Sequence, residues 1–203
     1  MRKFTLAGFA VMLAACAGLK QYPFEQRRIA AVMPFSYTAA QKEFAPHANG
    51  LADALAGALL RTGRLRLVER SRVDAVLSEA QLAQTGAIDS ATAARIGKQL
   101  GAQTLIIGSL SSISVREEGR SVKFAEKTNR WAEVEVEARI VDAETGELLG
   151  SAKAVGKTSS AEKHAFGGKI GELAAPDALI QQALQGMGEK LAKDLVRSLS
   201  PKK

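Results

Sequence analysis

Hydrophobic and polar positions repeat with two different periods along the chain, and the change of period marks the predicted elements. Residues 29–35 form an unbroken apolar run that predicts a buried strand. Residues 132–140 alternate strictly between apolar and charged side chains, which predicts a strand with one face in the core and one in water. Leucines at helical spacing predict amphipathic helices over 50–62 and from Pro176 to Leu199.

Shorter patterns predict the elements between these segments. Three further strands are expected, at 65–69, 104–115 and 147–155, the last joined to 132–140 by a turn that ends in Gly146. Two further helices are expected, one capped by Ser71 with Asp74 three residues on, and one capped by Asp89 or Ser90. This order predicts an α/β fold: a mixed-sheet α/β sandwich with a C-terminal antiparallel hairpin and a closing helix.

The start of the chain has the pattern of a lipoprotein leader. A basic start is followed by an apolar core at 4–14, which is shorter than the ~20 residues that a membrane-spanning helix needs. The sequence Leu-Ala-Ala-Cys at 13–16 then matches a lipobox, in which small residues precede the cysteine that receives a diacylglyceryl group. We therefore predict that Cys16 carries fatty acyl chains (palmitate) and that membrane lipid is its first partner.

The leader sets the predicted domain boundaries. Residues 1–15 are the signal peptide, 16–28 are the lipidated cysteine and a short tether, and 29–203 are a single α/β domain. Because the sequence has one cysteine, its lipidation leaves no thiol for a disulfide. Ala17 stands where an aspartate commonly retains lipoproteins at the inner membrane of diderm bacteria, so we expect the outer membrane, on its periplasmic face.

Charge does not indicate a nucleic-acid partner. Without residues 1–15 the chain keeps 26 basic and 21 acidic side chains, a mild excess that is spread along the sequence. Residues 116–130 hold five basic and three acidic residues, but Phe124 is their one aromatic side chain. A surface for single-stranded nucleic acid interleaves basic and aromatic residues. We therefore predict that no nucleic acid binds.

Candidate catalytic and metal-binding residues are few. The sequence has two histidines, His47 and His164, and no histidine or cysteine pair at metal-ligand spacing. Gly156-Lys157-Thr158 resembles the end of a phosphate loop, but the required earlier glycine is absent and the segment follows a strand without opening a helix. We predict no catalytic residue, no cofactor, no metal site and no enzymatic activity.

Four sequence segments, taken in order, resemble one family. They are IAAVMPF at 29–35, LVER at 67–70, GAQTLIIGS at 101–109 and ARIVDAETGELL at 138–149. Together they resemble the CsgG family of envelope lipoproteins, which includes the curli secretion component and shorter LpoB-type activators of peptidoglycan synthases. The resemblance implies a periplasmic scaffold that works without catalysis, by forming homo-oligomers or by docking an envelope protein partner.

Within that family we expect an accessory role in the secretion or assembly of an envelope or surface structure. One alternative is an LpoB-like activator of a peptidoglycan synthase, although the tether after Cys16 is short for crossing the cell wall. A second is a curli-type outer-membrane secretion pore, which needs membrane hairpins with an apolar lipid-facing side. Residues 116–130 and 156–175 carry charged side chains at both odd-numbered and even-numbered positions, so neither face of a strand there would be apolar. We therefore interpret both segments as water-exposed loops and candidate contact surfaces.

Overall fold

The computed structural model describes residues 19–80, 90–123, 125–165 and 168–201, so Cys16 and the predicted signal peptide lie outside the described residues. Short 3₁₀ helices lie at Phe24–Gln26 and Lys42–Ala48. The other elements of the described residues are, in chain order, β1 (Arg28–Val32), β2 (Ser36–Tyr37), α1 (Leu51–Arg61), β3 (Leu65–Leu67), α2 (Arg70–Glu79), α3 (Ser90–Leu100), β4 (Thr104–Val122), β5 (Ala125–Asp142), β6 (Leu148–Ala165), β7 (Gly168–Ile170) and α4 (Pro176–Val196).

The strands form one mixed sheet in the order β3-β1-β4-β5-β6-β7, with β2 paired to β4. The β1 strand runs parallel to β3 and β4, whereas the later strands form an antiparallel meander. Helices α1 and α4 cover one face, and α2 and α3 cover the other face where β1 and β4 begin. The predicted mixed-sheet α/β fold is therefore confirmed.

Helix α4 closes the main core, as its leucine spacing predicts. Its apolar side chains pack against the inward-facing residues of β5, and both sets are almost fully buried: Ile180, Leu184, Met187, Leu191 and Leu195 from the helix, Val134, Val136, Ala138 and Ile140 from the strand. Pro176 occupies the start of the helix, where its fixed φ is compatible with the first turn and its missing N–H is not needed.

The interpretation of 116–130 and 156–175 as loops is wrong over most of their length. Strands β4 and β5 stay paired without interruption from Arg116 opposite Trp131 to Val122 opposite Ala125. Strand β6 continues to Ala165, and β7 pairs with its end. Most side chains here are exposed on both faces of the sheet, so backbone pairing and not burial extends the strands. We call this extension the arm; it comprises residues 116–122, 125–131, 158–165 and 168–170.

The predicted cap of α2 is also wrong. The helix begins at Arg70, and Glu69, not Ser71, caps it by accepting a hydrogen bond from the Arg72 amide at 3.3 Å. The Ser71 hydroxyl donates to the same carboxylate. That bond, together with backbone amides of the first turn, lowers the pKa of Glu69, because each favours the ionised form. The residues expected to cap α3 include Asp89, which lies outside the described residues.

Residues 20–27, assigned above to the tether, lie against the domain. The Tyr22 hydroxyl donates to the Leu199 carbonyl at 2.6 Å, and the Tyr22 amide donates to the Gly63 carbonyl at 3.0 Å. The Lys20 carbonyl accepts from Arg64 Nε at 3.1 Å. These contacts join the N-terminal segment to the end of the sheet where β1 and β3 begin. We call that end the base; it comprises residues 19–28, 60–66, 142–147 and 193–201.

Candidate functional site

The arm is fixed to the body at its root. Arg130 on β5 binds Glu117 on β4 through Nη2 at 2.7 Å and Nε at 3.0 Å, and it donates from Nη1 to the Ala174 carbonyl at 2.6 Å. The Ala174 amide donates in turn to Ser160 Oγ on β6 at 3.1 Å. All three strands are thus connected to the residue that leads into α4. These charge-assisted and neutral hydrogen bonds tie the root of the arm to the start of the closing helix.

On the same face, nearer the tip, an acidic residue holds β7 against β6. Glu162 accepts from Lys169 at 2.8 Å and contacts His164 Nε2 at 2.6 Å. The Lys169 ammonium is the main cause, and His164 the next, of a Glu162 pKa lowered from 4.5 to about 2. The same pair raises the pKa of Lys169. His164 therefore has a local structural role, because it and Lys169 both contact the Glu162 carboxylate.

Replacing Lys169 with methionine should raise the pKa of Glu162 from about 2 toward 4.5, because it removes the largest cause of the shift. The sign follows from linkage: a lowered carboxyl pKa stabilises the fold above the ordinary value, and this contribution is lost as the pH falls through about 2. An NMR titration of the Glu162 side-chain carbon measures the midpoint. The matched variant His164→Gln should give a smaller rise, and a larger one would contradict this ranking.

The opposite face of the arm carries a row of three basic side chains. Arg120 on β4, Lys127 on β5 and Lys163 on β6 lie directly opposite one another in the strand register. All three are exposed, and within the described part of the chain none forms an ion pair or a side-chain hydrogen bond. Like charges at directly opposed positions are destabilising. We call these three residues the cationic row, and it presents a concentrated positive charge to solvent.

Trp131 lies on the same face as the cationic row, closer to the body. It pairs with Arg116 on β4 and Ser159 on β6, and its side chain is 36% exposed. An indole ring combines a large apolar surface with a hydrogen-bond donor, and tryptophan and arginine are enriched among the residues that dominate binding energy. Trp131, Arg116 and the cationic row thus provide an aromatic and four cations on one open sheet face, where Glu118 is an exposed acidic residue between Arg116 and Arg120.

Nearer the body, the same face is neutralised by its own ion pairs. Lys153 Nζ lies 2.7 Å from Glu135, and Lys157 Nζ lies 3.0 Å from Glu133. The hydrogen bond from Lys153 lowers the pKa of Glu135, and the pair raises the pKa of Lys153. Arg139 is an exposed cation without an ion pair on this part of the face, but directly opposed cations without ion pairs are found on the arm.

The residues that the sequence offered for chemistry are held apart in separate contacts. His47 Nε2 lies 2.9 Å from Asp177 Oδ1, which links the 3₁₀ helix at 42–48 to the start of α4, whereas His164 lies on the arm. Gly156 and Lys157 lie within β6, so their backbone amides do not converge as in a phosphate loop. Among the described residues, no group of three potential metal ligands is present.

A groove of about 530 Å³ opens beside β2, on the sheet face of the neutral ion pairs. Its lining includes Thr38, Ser109, Glu137, Arg139 and Lys153, and no histidine or cysteine contributes to it. Such a lining provides hydrogen-bonding groups but no nucleophile paired with a base. Separately, none of the helices in the described ranges is long and apolar enough to cross a membrane.

Comparison with known protein families shows to which family the chain belongs. A family model described as the curli production assembly/transport component CsgG matches residues 14–202. The chain belongs to the CsgG family. The predicted resemblance is thereby confirmed, and as a CsgG-family member the protein is an accessory protein of the cell envelope. No curated protein matches it by sequence at a significant level.

Solved structures show the same fold at low sequence identity. Lipoprotein GNA1162 of Neisseria meningitidis is 14% identical, and the alignment covers 66% of this chain and 84% of that one, with a TM-score of 0.51. A homologue of the neuraminyllactose-binding hemagglutinin from Helicobacter pylori is 12% identical over 98% of this chain and 92% of that one, with a TM-score of 0.50. LpoB of E. coli is 17% identical, covers 64% and 56%, and has a TM-score of 0.47. The likeness to the Neisseria and Helicobacter structures shows a shared fold alone.

Sequence reasoning did not find the cationic row. Its members are far apart in the sequence and meet only through the pairing of β4, β5 and β6. The one available signal was indirect: 116–130 and 156–175 are the places where charges at both parities replace the core pattern. That signal located the surface as a candidate contact region but could not show which charges are neighbours.

Proposed function

We propose that this CsgG-family protein is a non-enzymatic accessory lipoprotein, anchored through acylated Cys16 at the periplasmic face of the outer membrane. It acts in the secretion or assembly of an envelope or surface structure by docking an envelope protein on its arm. The observation that supports docking on the arm is the cationic row. The family match supports an envelope role, and the lipobox supports the anchor.

The cationic row fits a docking role because the fold does not need it. The arm adds no residue between Arg116 and Val122 to the buried core, and its three opposed cations repel one another. An acidic partner surface would remove that repulsion and gain charge-assisted hydrogen bonds. Complementary charge also speeds association and fixes the register of the complex. A partner segment rich in aspartate or glutamate is therefore the expected ligand.

A curli-type pore is less well supported by the arm. One face carries Glu117 with Arg130 and Glu162 with Lys169, and the other carries the cationic row. Neither face offers an unbroken apolar surface to lipid, where a lysine or arginine at the midplane costs ~2–4 kcal/mol. Docking in water is the role that both charged faces suit.

The experiment is charge reversal of the row in the full-length protein, with Arg120, Lys127 and Lys163 all changed to glutamate. Like charges facing each other across an interface cost several kcal/mol, so recovery of the envelope partner after cross-linking in cells should fall about tenfold or more. The matched control reverses three exposed cations outside the arm, Lys42, Lys98 and Lys190, and should retain the partner.

Two readouts separate the parts of the proposal. Equal recovery from the row variant and the control would contradict docking on the arm. The intact mass of the membrane-extracted protein tests the anchor independently, because acylation of Cys16 adds the mass of its fatty chains. Recovery should also decrease at high ionic strength, since salt screens exposed charges.

A further inference from the structure

The base is the part of the domain from which the N-terminal chain leaves toward Cys16. Lys20 is fixed there by the hydrogen bond from Arg64, and Leu19 lines a groove with Arg61 and Lys193. Four residue steps separate Cys16 from Lys20, and four steps span at most ~14 Å when fully extended. An anchor at Cys16 therefore keeps Lys20, and with it the base, within ~14 Å of the lipid-anchored residue.

Resting on the lipid anchor of the proposed function, we propose that the base is a lipid-contact surface for anionic headgroups. The domain stands on the membrane with its arm directed away from the bilayer. This assigns a partner to a surface that the docking proposal does not use. It also predicts where the cationic row meets its ligand, which is in the periplasmic space and not at the lipid surface.

The chemistry of the base fits a lipid surface. Phe24 and Leu60 are large apolar residues that are 58% and 53% exposed. The Arg66 guanidinium lies 4.8 Å from the centre of the Phe24 ring, and Arg61 follows Leu60 directly in the chain. Exposed apolar side chains flanked by cations are the pattern by which peripheral segments settle into the headgroup region. Each lysine or arginine near an anionic membrane strengthens its attraction, and the effect fades within a Debye length.

The acidic groups near the base do not cancel this pattern. The Glu189 carboxylate lies 3.5 Å from the Arg61 guanidinium and partly neutralises it. Asp194 forms an ion pair with Arg197 at 2.9 Å. Glu25, Glu144 and Glu147 are exposed and form no ion pair within the described residues, so each remains a local negative charge. The base as defined still holds eight basic side chains against five acidic ones. Lys20 and Lys193 form no ion pair within the described residues, so both are available to headgroups.

The strand geometry sets the orientation of the arm. Asp142 ends β5 at the base, where it forms an ion pair with Arg28 at 3.8 Å. From there β5 runs to Ala125 at the arm tip, and at ~3.3 Å per residue this strand covers roughly 55 Å. Trp131 lies roughly 35 Å from Asp142 on the same scale. A bilayer in contact with the base is thus out of reach of Trp131.

The sequence supplies its own probe, because Trp131 is the single tryptophan. The lipidated full-length protein is reconstituted into vesicles that contain phosphatidylglycerol, with acyl chains brominated near the headgroup as the quencher. Trp131 fluorescence should not change. In the double variant Phe24→Trp/Trp131→Phe, the tryptophan at the base should be quenched. Tryptophan at position 24 can keep the stacking of Phe24 on the Arg66 guanidinium, 4.8 Å from the ring centre.

Every other pattern of quenching overturns the proposal. Quenching of Trp131 would place the arm on the membrane, and an unquenched tryptophan at position 24 would place the base away from it. In the double variant, adding Lys20→Glu and Lys193→Glu should abolish the quenching. The matched reversal of Lys127 and Lys163 should leave it unchanged. Retained quenching after the base reversal would contradict the role assigned to the basic residues.

A separate measurement distinguishes failure of the anchor from failure of this inference. Intact mass of the same preparation shows whether Cys16 is acylated. An unmodified cysteine would refute the anchor of the proposed function. Its thiol would then be coupled to a maleimide lipid in the same vesicles, so the quenching test of the base still gives a result.

Discussion

Replacing Gly156 with valine is expected to lower the free energy of unfolding by about 3 kcal/mol, because it forces α4 away from the sheet. A Cβ at position 156 would overlap the Ala183 carbonyl oxygen, and it would lie 2.9 Å from the carbonyl carbon of the same residue. It would also lie 3.1 Å from Val134 Cγ2 on the neighbouring strand. The Ala183 carbonyl belongs to the backbone of a regular helix and cannot rotate away as a side chain would.

Urea unfolding followed by circular dichroism measures this effect. Three kcal/mol would lower the melting temperature by roughly 6–12 °C in a domain of this size. The matched control is Gly186→Ala in the middle of α4, where an added Cβ meets no atom within 4 Å. That variant should be about 0.5–1 kcal/mol more stable than the wild type, because alanine favours the helix. An unchanged unfolding midpoint for Gly156→Val would show that β6 and α4 do not approach so closely.

The parts of the fold that the sequence predicted are those with one buried and one exposed face. Strand 132–140 alternates because its even-numbered side chains enter the core, and α4 shows its leucine spacing because one side covers β5. The spacing of apolar residues along the sequence records directly which side of an element is buried. The order of these elements was therefore enough to predict the mixed sheet and the closing helix.

The arm could not be predicted by the same means. Hydrophobic alternation reports burial, but residues 116–122 are exposed on both faces of β4, and no residue of 158–165 on β6 is buried. A strand held by backbone pairing alone therefore has the same composition as a loop. The cationic row depends further on the register between the strands. A shift of one strand by one residue would turn that strand's cation to the other face of the sheet. Its location required the paired backbone of the structure.

The base was missed for a related reason. Residues 20–27 are held by hydrogen bonds from tyrosine and arginine side chains, and these leave no periodic signal in the sequence. The segment instead has the composition of a tether. Arg64 gives no local indication either, because its partners lie at the two ends of the chain.

Arg64→Met is expected to lower the free energy of unfolding by about 2–3 kcal/mol and to release the N-terminal segment. The Arg64 side chain is 8% exposed, and Nη1 donates to the carbonyls of Val196 at 2.7 Å and Arg197 at 3.2 Å. These are carbonyls at the end of α4, where a positive charge also complements the helix dipole. Hydrogen bonds to charged groups contribute ~1.5–3 kcal/mol each, and methionine recovers part of the packing but none of the bonds.

Two comparisons show whether the lost hydrogen bonds cause the effect. Arg197→Met removes an exposed guanidinium from the same helix end and should change stability by at most about 0.5 kcal/mol. Hydrogen exchange at the Tyr22 amide, which donates to Gly63, reports the N-terminal segment itself. Exchange there should accelerate in Arg64→Met and not in Arg197→Met. If stability falls while the Tyr22 amide stays protected, then the bond from Tyr22 to Leu199, and not Arg64, holds the segment to the base.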